Sequence, residues 1–578
     1  MSAPRFHPQP SDAPSESRSQ LAGSHRVPTD QWQDPVGSPG TAGAPIDGFA
    51  PREGRRIDGV IIPARRARVL ACVSSGAIFG VDAYLVRVEV DLANGLPSMS
   101  VVGLPENAVR EGRERVTAAL NNAGFDVPPR RITVNLAPAD VRKDGSAFDL
   151  PLATALLVAS GQVPPGRVPD CLVGELGLDA EVRPVRGVLS LASACRAAGL
   201  ESLAVPRANA REAAVVDGLQ ILPIRDLGEL ASHLRGDITI APVLPGDLAS
   251  QAPEPLGLDF EDVKGQASAR RALEIAAAGN HNALLIGPPG SGKSMLARRL
   301  PGILPPLTHQ EAIEVTKVMS VSGRLRPGQG LVTVRPFRAP HHTISDAGLV
   351  GGGTIPRPGE VSLAHNGVLF LDELPEFRRN VLEALRQPIE DAVINIGRSR
   401  MSVSMPARFM LVAAMNPCPC GFHGDAEARC ICHAGHIERY RARLSGPLLD
   451  RIDLYVSVPA LRERELVQRS ASESSATIRE RVARARARQA RRFGDTRMTT
   501  NSHMGPREVR QHCVIDSEGE GLLVAAVRRL GLSARAYHRI LRLARTIADL
   551  ANADPIAAAH LAEAIQYRSW DRIRPRQR

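Results

Sequence analysis

The most informative stretch of the sequence is a glycine-rich loop. Residues 287–294 read Gly-Pro-Pro-Gly-Ser-Gly-Lys-Ser and follow the apolar run 283–286. This order predicts a buried strand, a tight loop and a helix that begins near Lys293, so that backbone N–H groups surround an anion at the positive end of the helix dipole. In this pattern Lys293 contacts the β- and γ-phosphates of a nucleoside triphosphate, and the Ser294 hydroxyl is a ligand of Mg²⁺. The candidate phosphate-binding residues are Gly287, Pro288, Pro289, Gly290, Ser291, Gly292, Lys293 and Ser294.

A second strand should end in acidic residues beside this loop. The apolar run 367–371 is followed directly by Asp372 and Glu373. We predict that Asp372 holds Mg²⁺ and that Glu373 polarises the attacking water. The alternative is a strand end capped by solvated acids. The glycine loop upstream favours the catalytic interpretation, because two separate features then indicate the same chemistry.

Length and composition limit the class of protein. A chain of 578 residues with 43% hydrophobic content predicts two to four domains with packed cores. The net charge of +11 favours an anionic partner, although the charge is almost entirely arginine, which a GC-rich genome would also produce. The sequence has no apolar run long enough to span a membrane and no secretion signal, so we expect no membrane partner. Eight cysteines in such a chain are typical of a reduced, cytoplasmic protein.

Shifts in composition divide the chain into five segments. The first is rich in Pro, Ser and Gly and has almost no aliphatic pattern, so we expect it to be disordered. The second and fourth have the alternating strand and helix patterns of α/β domains, and the third reads as a linker. The fifth is helical. The segments are 1–66, 67–240, 241–257, 258–460 and 461–578.

The segment 67–240 resembles the ribosomal S5 domain 2-like fold, and in particular the proteolytic domain of the Lon family. The resemblance is carried by Asp-Gly-Ser-Ala at 144–147 and by Val-Arg-Pro-Val-Arg-Gly at 182–187. A Ser/Lys dyad needs a lysine as base. No lysine lies near Gly187, and Phe148-Asp149 stands where a small glycine turn is expected, so we predict that this domain binds, positions or oligomerises rather than cleaves. Its predicted elements are strands at 84–90 and 132–136 and helices near 108–123 and 150–160.

The order of the central segment is similar to that of the AAA+ ATPases. Val-Lys-Gly-Gln at 263–266 precedes a helix and then the phosphate loop, and in AAA+ proteins this segment brackets the adenine. Over residues 67–572 the chain resembles the magnesium chelatase-like AAA+ ATPases of the YifB/ComM family. This resemblance implies an α/β fold: a Lon-like N-terminal domain, a central AAA+ P-loop NTPase domain and a C-terminal helical lid. The motifs that carry it are Gly80–Tyr84, Val102–Pro105, Phe337–Thr343, Ala364–Gly367 and Leu448–Asp453.

The resemblance also implies roles for three residues outside the loop. Asn416, at the end of the predicted strand 410–415, is similar to sensor 1, although an asparagine at a strand end is also a common turn former. Arg451 resembles an arginine finger that completes a neighbouring subunit's site; the alternative is a surface residue paired with Asp450 or Asp453. Arg535 resembles the sensor 2 arginine of the lid; the alternative is ordinary helix solvation. A finger that acts in trans implies a homo-oligomeric ring, a hexamer by family expectation.

Two insertions mark the chelatase-like subgroup. The first spans 337–353, where packing within the insertion is the favoured role of His341 and His342 and a role as ligands is the alternative. The second, 393–403, reads as a hairpin that turns near Gly397. In related motors such hairpins grip nucleic acid, so Arg398 and Arg400 are candidate contacts to DNA phosphates; a solvated basic turn is the alternative.

An arginine-rich helix is predicted at 478–493. Five of its arginines share one face, which is either a DNA-facing stripe or the solvated face of a lid helix, and the second interpretation is favoured. These arginines are Arg481, Arg484, Arg488, Arg491 and Arg492.

Four cysteines follow Asn416 in the pattern C-x-C-x₉-C-x-C. Clustered thiolates in a reduced compartment indicate a structural zinc site that holds a loop, although C-x₂-C is the commoner spacing. Unpaired thiols, or ligation by His423 or His433 in place of one cysteine, are the alternatives. The candidate ligands are Cys418, Cys420, Cys430 and Cys432.

The sequence therefore predicts a hexameric motor that uses Mg²⁺ and ATP and acts on single-stranded or branched DNA. For the YifB/ComM family the resemblance implies branch-migration helicase activity, which promotes DNA integration during natural transformation or recombination. The alternatives are a metal-insertion motor similar to the magnesium chelatase AAA+ subunit and a DNA-binding scaffold with weak ATPase activity. A Lon-like protease is disfavoured by the missing lysine.

Overall fold

The computed structural model describes most of the chain from residue 70 onward. The predicted disordered extension 1–66 and most of the predicted linker lie outside the described residues. No helix among those described is long and apolar enough to cross a membrane. The described residues are 70–141, 143, 145–243, 257–353, 356–398, 401–424, 429–460, 472–494, 496 and 498–568.

The N-terminal part begins with a four-stranded sheet in the order β1-β2-β4-β3, in which only β3 and β4 are parallel. Alternation places Val86, Val88 and Val90 in the core, while Arg87 between them is exposed. Helix α2 covers this face, and nearly all of its residues are buried. The elements are β1 Leu70–Phe79, β2 Asp82–Ala93, β3 Ser98–Val102, α1 Asn107–Asn122, β4 Arg131–Ala137 and α2 Asp149–Ala159.

A second, smaller sheet completes this part of the chain. It is parallel and has the order β5-β8-β9, and β6 and β7 form a separate short antiparallel pair. Val243 forms a bridge to Ile221 of β9, so ordered structure continues past the predicted boundary at 240. The elements are β5 Cys171–Leu172, β6 Glu175–Leu176, β7 Val182–Arg183, α3 Val188–Ala197, β8 Ser202–Pro206, α4 Ala210–Ala213, β9 Gln220–Ile224 and α5 Leu227–Arg235.

The residues of the Lon-like motifs do not form a Ser/Lys pair. The Ser146 hydroxyl donates a hydrogen bond to the Glu175 carboxylate. Val188 and Leu189, which follow Gly187, are buried and apolar. Among these described residues, Ser146 is therefore paired with a carboxylate and not with an amine.

The central part is a five-stranded parallel sheet flanked by helices. The strand order is β11-β14-β17-β10-β18. Every residue of β10, β14 and β17 is buried, as expected where helices cover both faces of a parallel sheet. Its elements are α6 Ala267–Gly279, β10 Ala283–Ile286, α7 Lys293–Ile303, α8 His309–Val321, β11 Phe337–Arg338, α9 Asp346–Val350, β12 Gly351–Gly352, β13 Arg357–Pro358, α10 Glu360–Leu363, β14 Val368–Leu371, α11 Arg379–Ala384, α12 Arg386–Asp391, β15 Val393–Arg398, β16 Met401–Pro406, β17 Met410–Met415, α13 Ala434–Arg441, α14 Gly446–Leu449 and β18 Leu454–Ser457.

Strands β15 and β16 form the predicted hairpin, and the second strand continues past the predicted end at residue 403. Gly397 lies within the first strand and pairs with Ser402, and Arg398 pairs with Met401. Gly397 is therefore part of the paired strands, which extend at least to Arg398 and Met401. Arg400 lies outside the described residues, and the described backbone places Arg398 at the end of β15.

The N-terminal domain contacts this hairpin through the turn that follows β1. Phe79 packs against the apolar cluster that includes Ile394 and Val403 of the hairpin. Gly80 has φ +66°, and a Cβ atom there would lie 2.4 Å from Val403 Cγ1, so only glycine fits this approach. A movement of the hairpin would therefore change its packing against Phe79 and Gly80 of the N-terminal domain.

The C-terminal part is helical, as predicted. The buried face of α15 contains Ile478, Val482, Ala485 and Phe493 and belongs to the same core as α6 and α18. The elements are α15 Ser475–Phe493, α16 Pro506–His512, α17 Ser517–Leu530, α18 Ala534–Leu550 and α19 Ala558–Gln566.

Most of the predicted arginine face of α15 binds acidic groups of the protein itself. Arg481 contacts Glu274 and Glu473, and Arg492 binds Asp549 in a two-point ion pair. Arg488 contacts Asp554. The two remaining arginines of this face, Arg484 and Arg491, are exposed.

Candidate functional site

The parallel sheet brings three of the predicted site segments to one edge. Ile286 at the end of β10 is in register with Met415 of β17, and Leu371 of β14 is in register with Ala413. The residues that follow these strand ends are the glycine loop, Asp372 and Asn416. The carboxyl edge of a parallel sheet is where such folds bind ligands.

The phosphate loop has a backbone that only glycine can supply at several positions. A Cβ atom on Gly287 would lie 1.9 Å from the carbonyl oxygen of Val458, and Gly290 and Gly292 have φ +75° and +89°. Gly292 directly precedes the first residue of α7, Lys293. The loop therefore ends at a helix N-terminus, as the sequence predicted.

Lys293 is folded back onto its own loop. Its Nζ donates hydrogen bonds to the carbonyl oxygens of Gly287 at 2.7 Å and Pro288 at 2.8 Å, and to Oδ1 of Asn416 at 3.2 Å. Burial lowers the pKa of Lys293 from its usual value, and the nearby charges of Asp372 and Glu373 oppose that shift. A cation held by oxygen acceptors in this way can exchange them for phosphate oxygens at little cost.

Ser294 and Asp372 meet as the motif requires. The Ser294 hydroxyl donates to Oδ2 of Asp372 at 2.5 Å. Glu373 is exposed and has φ +52°, a backbone conformation that is uncommon outside glycine. Its carboxylate lies 3.4 Å from Nδ1 of His342, which comes from the first insertion. The insertion thus contributes His342 to the site, whereas packing within the insertion was the role that the sequence favoured for this residue.

Gln266 connects the segment before α6 to the loop. Its side chain is buried and donates hydrogen bonds to the carbonyl oxygens of Ser291 at 3.2 Å and Pro459 at 2.7 Å. From the sequence we expected the segment that contains Gln266 to lie near the adenine, but we assigned no contact to this residue. Its signal, a polar residue between Gly265 and a helix, is too common to assign a partner.

Arg451 is buried, and among the described residues its ion pair is with Glu390 and not with Asp450 or Asp453, the partners considered from the sequence. Its Nη2 lies 2.6 Å from Oε1 of Glu390 at the end of α12, and its Nη1 donates to the carbonyl oxygen of Pro447 at 2.7 Å. Its Nε is buried without a hydrogen-bond partner in the described structure. Asp453 instead accepts from the backbone N–H of Asn282 and contacts Arg539. Glu390 was missed because the pair spans 61 residues and no motif marks it.

Arg535 lies at the second position of α18 and is exposed. Among the described residues no hydrogen bond or ion pair joins its side chain to the phosphate loop. The sensor 2 role therefore remains a prediction from the family resemblance.

The residues at this edge fit a magnesium nucleotide. A hydroxyl and a carboxylate, which Ser294 and Asp372 supply, are the oxygen ligands that Mg²⁺ prefers. The Ser291 hydroxyl is buried inside the loop without a hydrogen-bond partner in the described structure, so a polar group is available there. Lys293 and the N–H groups at the start of α7 complete a positive cradle.

The four predicted cysteine ligands come together in the structure. Their sulfur atoms lie within 4.8 Å of one another, with Sγ of Cys418 lying 3.3 Å from that of Cys420 and 3.8 Å from that of Cys430. All four are free thiols. The backbone N–H of Phe422 is the main cause that lowers the pKa of Cys420 to about 6. These are the spacings of a potential metal site. His423 and His433 are exposed and do not belong to this cluster.

Three family models match the chain. The model described as magnesium chelatase, subunit ChlI, matches residues 259–466, and that described as subunit ChlI of Mg-chelatase matches residues 88–209. The C-terminal model of the same subunit matches residues 472–568. The matched ranges contain every predicted site residue.

Relatives of similar length cover most of the chain. It is 45% identical over 506 residues to a Salmonella typhimurium protein named YifB and 46% identical over 509 residues to the competence protein ComM of Haemophilus influenzae. In both cases the match covers 87% of this chain and 98% of the relative. A Lon protease of Mycolicibacterium smegmatis is 26% identical over 179 residues, which is 29% of this chain and 23% of that protein. The likeness to Lon is thus partial.

Proposed function

Because the chain belongs to the magnesium chelatase-like YifB/ComM family of AAA+ proteins, we propose that it is an ATP-driven hexameric motor that acts on DNA. The specific activity we propose is branch migration of the helicase type, which extends the integration of incoming strands in natural transformation or recombination. The observation that carries the motor proposal is the convergence of Lys293, Ser294, Asp372 and Asn416 at one sheet edge. The competence name of the Haemophilus relative favours DNA as the substrate.

The proposed chemistry is attack of water on the terminal phosphate of ATP. Bound Mg²⁺·ATP supplies the phosphoryl group and a metal ion that neutralises charge on it. Ser294 and Asp372 would hold the metal. Glu373 accepts the proton of the attacking water, and Asn416, which already contacts Lys293 Nζ, orients that water. Lys293 exchanges its carbonyl partners for phosphate oxygens.

Arg451 completes the site of a neighbouring subunit in this proposal. A guanidinium stabilises the charge that develops in the transition state. In the single chain it is bound to Glu390, so that ion pair must open before the finger can act in trans.

The position of Glu390 offers a link between the two activities. Helix α12, which carries Glu390, ends two residues before the hairpin strand β15 begins. A shift of the hairpin on DNA would move this helix and loosen its hold on Arg451. ATP turnover would in that case depend on DNA.

We expect DNA to stimulate ATP turnover and the stimulation to depend on the hairpin. In Arg398→Ala/Arg400→Ala, forked, single-stranded or four-way-junction DNA should increase the rate less than in the parent, because two phosphate contacts are lost. The logarithmic salt dependence of DNA binding should weaken by about one unit per arginine. The measurement is the ratio of ATPase rates with and without each DNA, with titrations at several salt concentrations.

Arg484→Ala/Arg491→Ala is the matched control, since it removes the same charge from exposed positions of α15. If the control loses the stimulation and the hairpin variant keeps it, the DNA surface is on the lid. If the parent turns over ATP but binds no DNA, the DNA proposal is wrong and a metal-insertion role becomes the better candidate.

We expect Glu390→Gln to raise the ATPase rate in the absence of DNA by about two- to fivefold. Glu390 is 53% exposed at its side chain, so its pair with Arg451 is of modest strength and its loss frees the finger for the neighbouring site. Asp391→Asn is the control, because it removes the adjacent exposed charge. An unchanged or lower rate for Glu390→Gln, measured at equal subunit concentration, would refute the restraint.

We further propose that the four clustered cysteines hold a structural zinc ion. Four thiolates that close around one metal leave no open coordination position, so the metal would stabilise the loop rather than react. Elemental analysis of the purified chain should give about one zinc per subunit. Protein without zinc would reject this site.

A further inference from the structure

The cysteine loop has a geometry that suits zinc better than a disulfide. Sulfurs at the corners of a Zn–S₄ tetrahedron with bonds of about 2.3 Å lie about 3.8 Å apart, whereas bonded sulfurs lie about 2.05 Å apart. Sγ of Cys430 lies 3.8 Å from that of Cys418 and 3.7 Å from that of Cys420. Cys418 is fully buried, which fixes the position of the cluster in the protein.

The same loop lies directly against the phosphate loop. Gly421 is buried with φ +89°, and a Cβ atom there would lie 2.4 Å from Cδ and 2.8 Å from Cγ of Pro289. Pro289 is the third residue of the glycine-rich loop. Any side chain at position 421 would therefore push against the segment that should bind phosphate.

Both ends of the cysteine loop also lead to predicted catalytic residues. Cys418 follows Asn416 by two residues, and Asn416 contacts Lys293. Cys432 precedes α13 by two residues, and Arg441 at the end of that helix donates to the carbonyl oxygen of Pro417 at 3.1 Å. Helix α14 and then Arg451 follow.

We infer that the tetrathiolate zinc site positions the nucleotide site: the metal ties the end of β17 to the start of α13 and holds Gly421 against Pro289. The inference rests on the proposed binding of zinc and of ATP, and adds that zinc controls the affinity for ATP. Without the metal, the cysteine loop no longer supports Pro289, and Cys418, two residues after Asn416, is no longer fixed. The phosphate loop then spends less time in its binding conformation, which lowers the apparent affinity by the same fraction.

The test separates metal binding from loop packing. Gly421→Ala keeps all four thiols but forces a methyl group onto Pro289, so it should retain zinc and raise the Kd for a fluorescent ATP analogue at least about fivefold. Gly424→Ala is the matched control: it has a similar positive φ of +80°, but no atom of the described residues lies within 4 Å of its Cβ position. It should retain zinc and bind the analogue as the parent does.

Cys430→Ser/Cys432→Ser removes two ligands and should lose zinc together with nucleotide affinity, while its melting temperature and gel-filtration profile report whether it is folded. The inference is overturned if Gly421→Ala binds the analogue as tightly as Gly424→Ala, or if a folded cysteine variant loses zinc and keeps its affinity. Parent protein that contains no zinc overturns it as well. If the parent binds zinc and nucleotide but hydrolyses no ATP, the motor proposal fails, and the affinities still decide the inference.

Discussion

Arg451→Ala should lower ATP turnover on the order of 10³-fold while leaving ATP bound, because the finger stabilises charge only in the transition state. The residue is 8% exposed and its Nε has no hydrogen-bond partner in the described structure, so the guanidinium keeps donor capacity that Glu390 and Pro447 do not use. The measurements are kcat, KM and the Kd for a non-hydrolysable analogue. Turnover equal to that of the parent would reject the finger role.

Mixing subunits tests whether the finger acts in trans. Arg451→Ala keeps its own phosphate loop, and Lys293→Ala keeps its finger but loses its nucleotide contact. In a mixed ring, an Arg451→Ala subunit supplies an intact phosphate loop and a neighbouring Lys293→Ala subunit supplies the arginine finger. That shared site is complete, so two variants that are inactive alone should regain activity when combined. A mixture that stays inactive, although gel filtration shows mixed assemblies, would mean that Arg451 serves its own subunit.

A control is needed because Arg451 is also a structural contact. Arg443→Ala removes an exposed arginine from the connection between α13 and α14, before Arg451 in the chain, where it pairs with Glu376 at 2.8 Å. We expect it to change turnover little, since exposed ion pairs contribute about 0–1 kcal/mol. Melting temperatures of both variants separate loss of catalysis from loss of folding.

Local patterns in the sequence predicted much of the central sheet. The runs at 283–286, 367–371 and 410–415 are apolar throughout, and each is a strand that is buried on both faces. Such runs are a strong indication of a buried strand, because a parallel strand that is covered on both faces is apolar throughout and does not alternate between polar and apolar residues. The start of a helix at Lys293 was predicted from the glycine-rich motif, and in the structure Gly292, with φ +89°, ends the loop directly before that helix.

Long-range pairing is what the sequence did not reveal. Glu390 with Arg451, and His342 with Glu373, join segments that no periodicity connects. Gly397 is a turn former by type, but its backbone is paired with Ser402 inside the hairpin. Contacts of this kind depend on how insertions pack against the sheet, which single-sequence patterns do not encode.

The cysteine cluster is an intermediate case. The spacing suggested four ligands, and the structure brings their sulfurs together. What the spacing did not contain was the contact of Gly421 with Pro289. A glycine that is required by a neighbour 132 residues away looks in sequence like any loop glycine.

Glu373→Gln should lower ATP turnover by about 10²- to 10⁴-fold, the usual range for loss of a general base, while ATP still binds. The amide has the shape of the carboxylate but cannot accept the proton of the attacking water. The Glu373 side chain is 58% exposed, and among the described contacts its carboxylate pairs with His342, which an amide at this position still contacts, so the change should not unfold the protein. The measurements are kcat and the Kd for ATP by equilibrium binding.

The variant also separates binding of DNA from work on it. Glu373→Gln loaded with ATP should bind DNA at least as well as the parent but should not displace strands, because each step needs hydrolysis. Glu376→Gln is the control: it removes a charge three residues away, in the pair with Arg443. Normal turnover in Glu373→Gln would move the base role to another residue. Strand displacement without turnover would mean that hydrolysis is not what drives the motor.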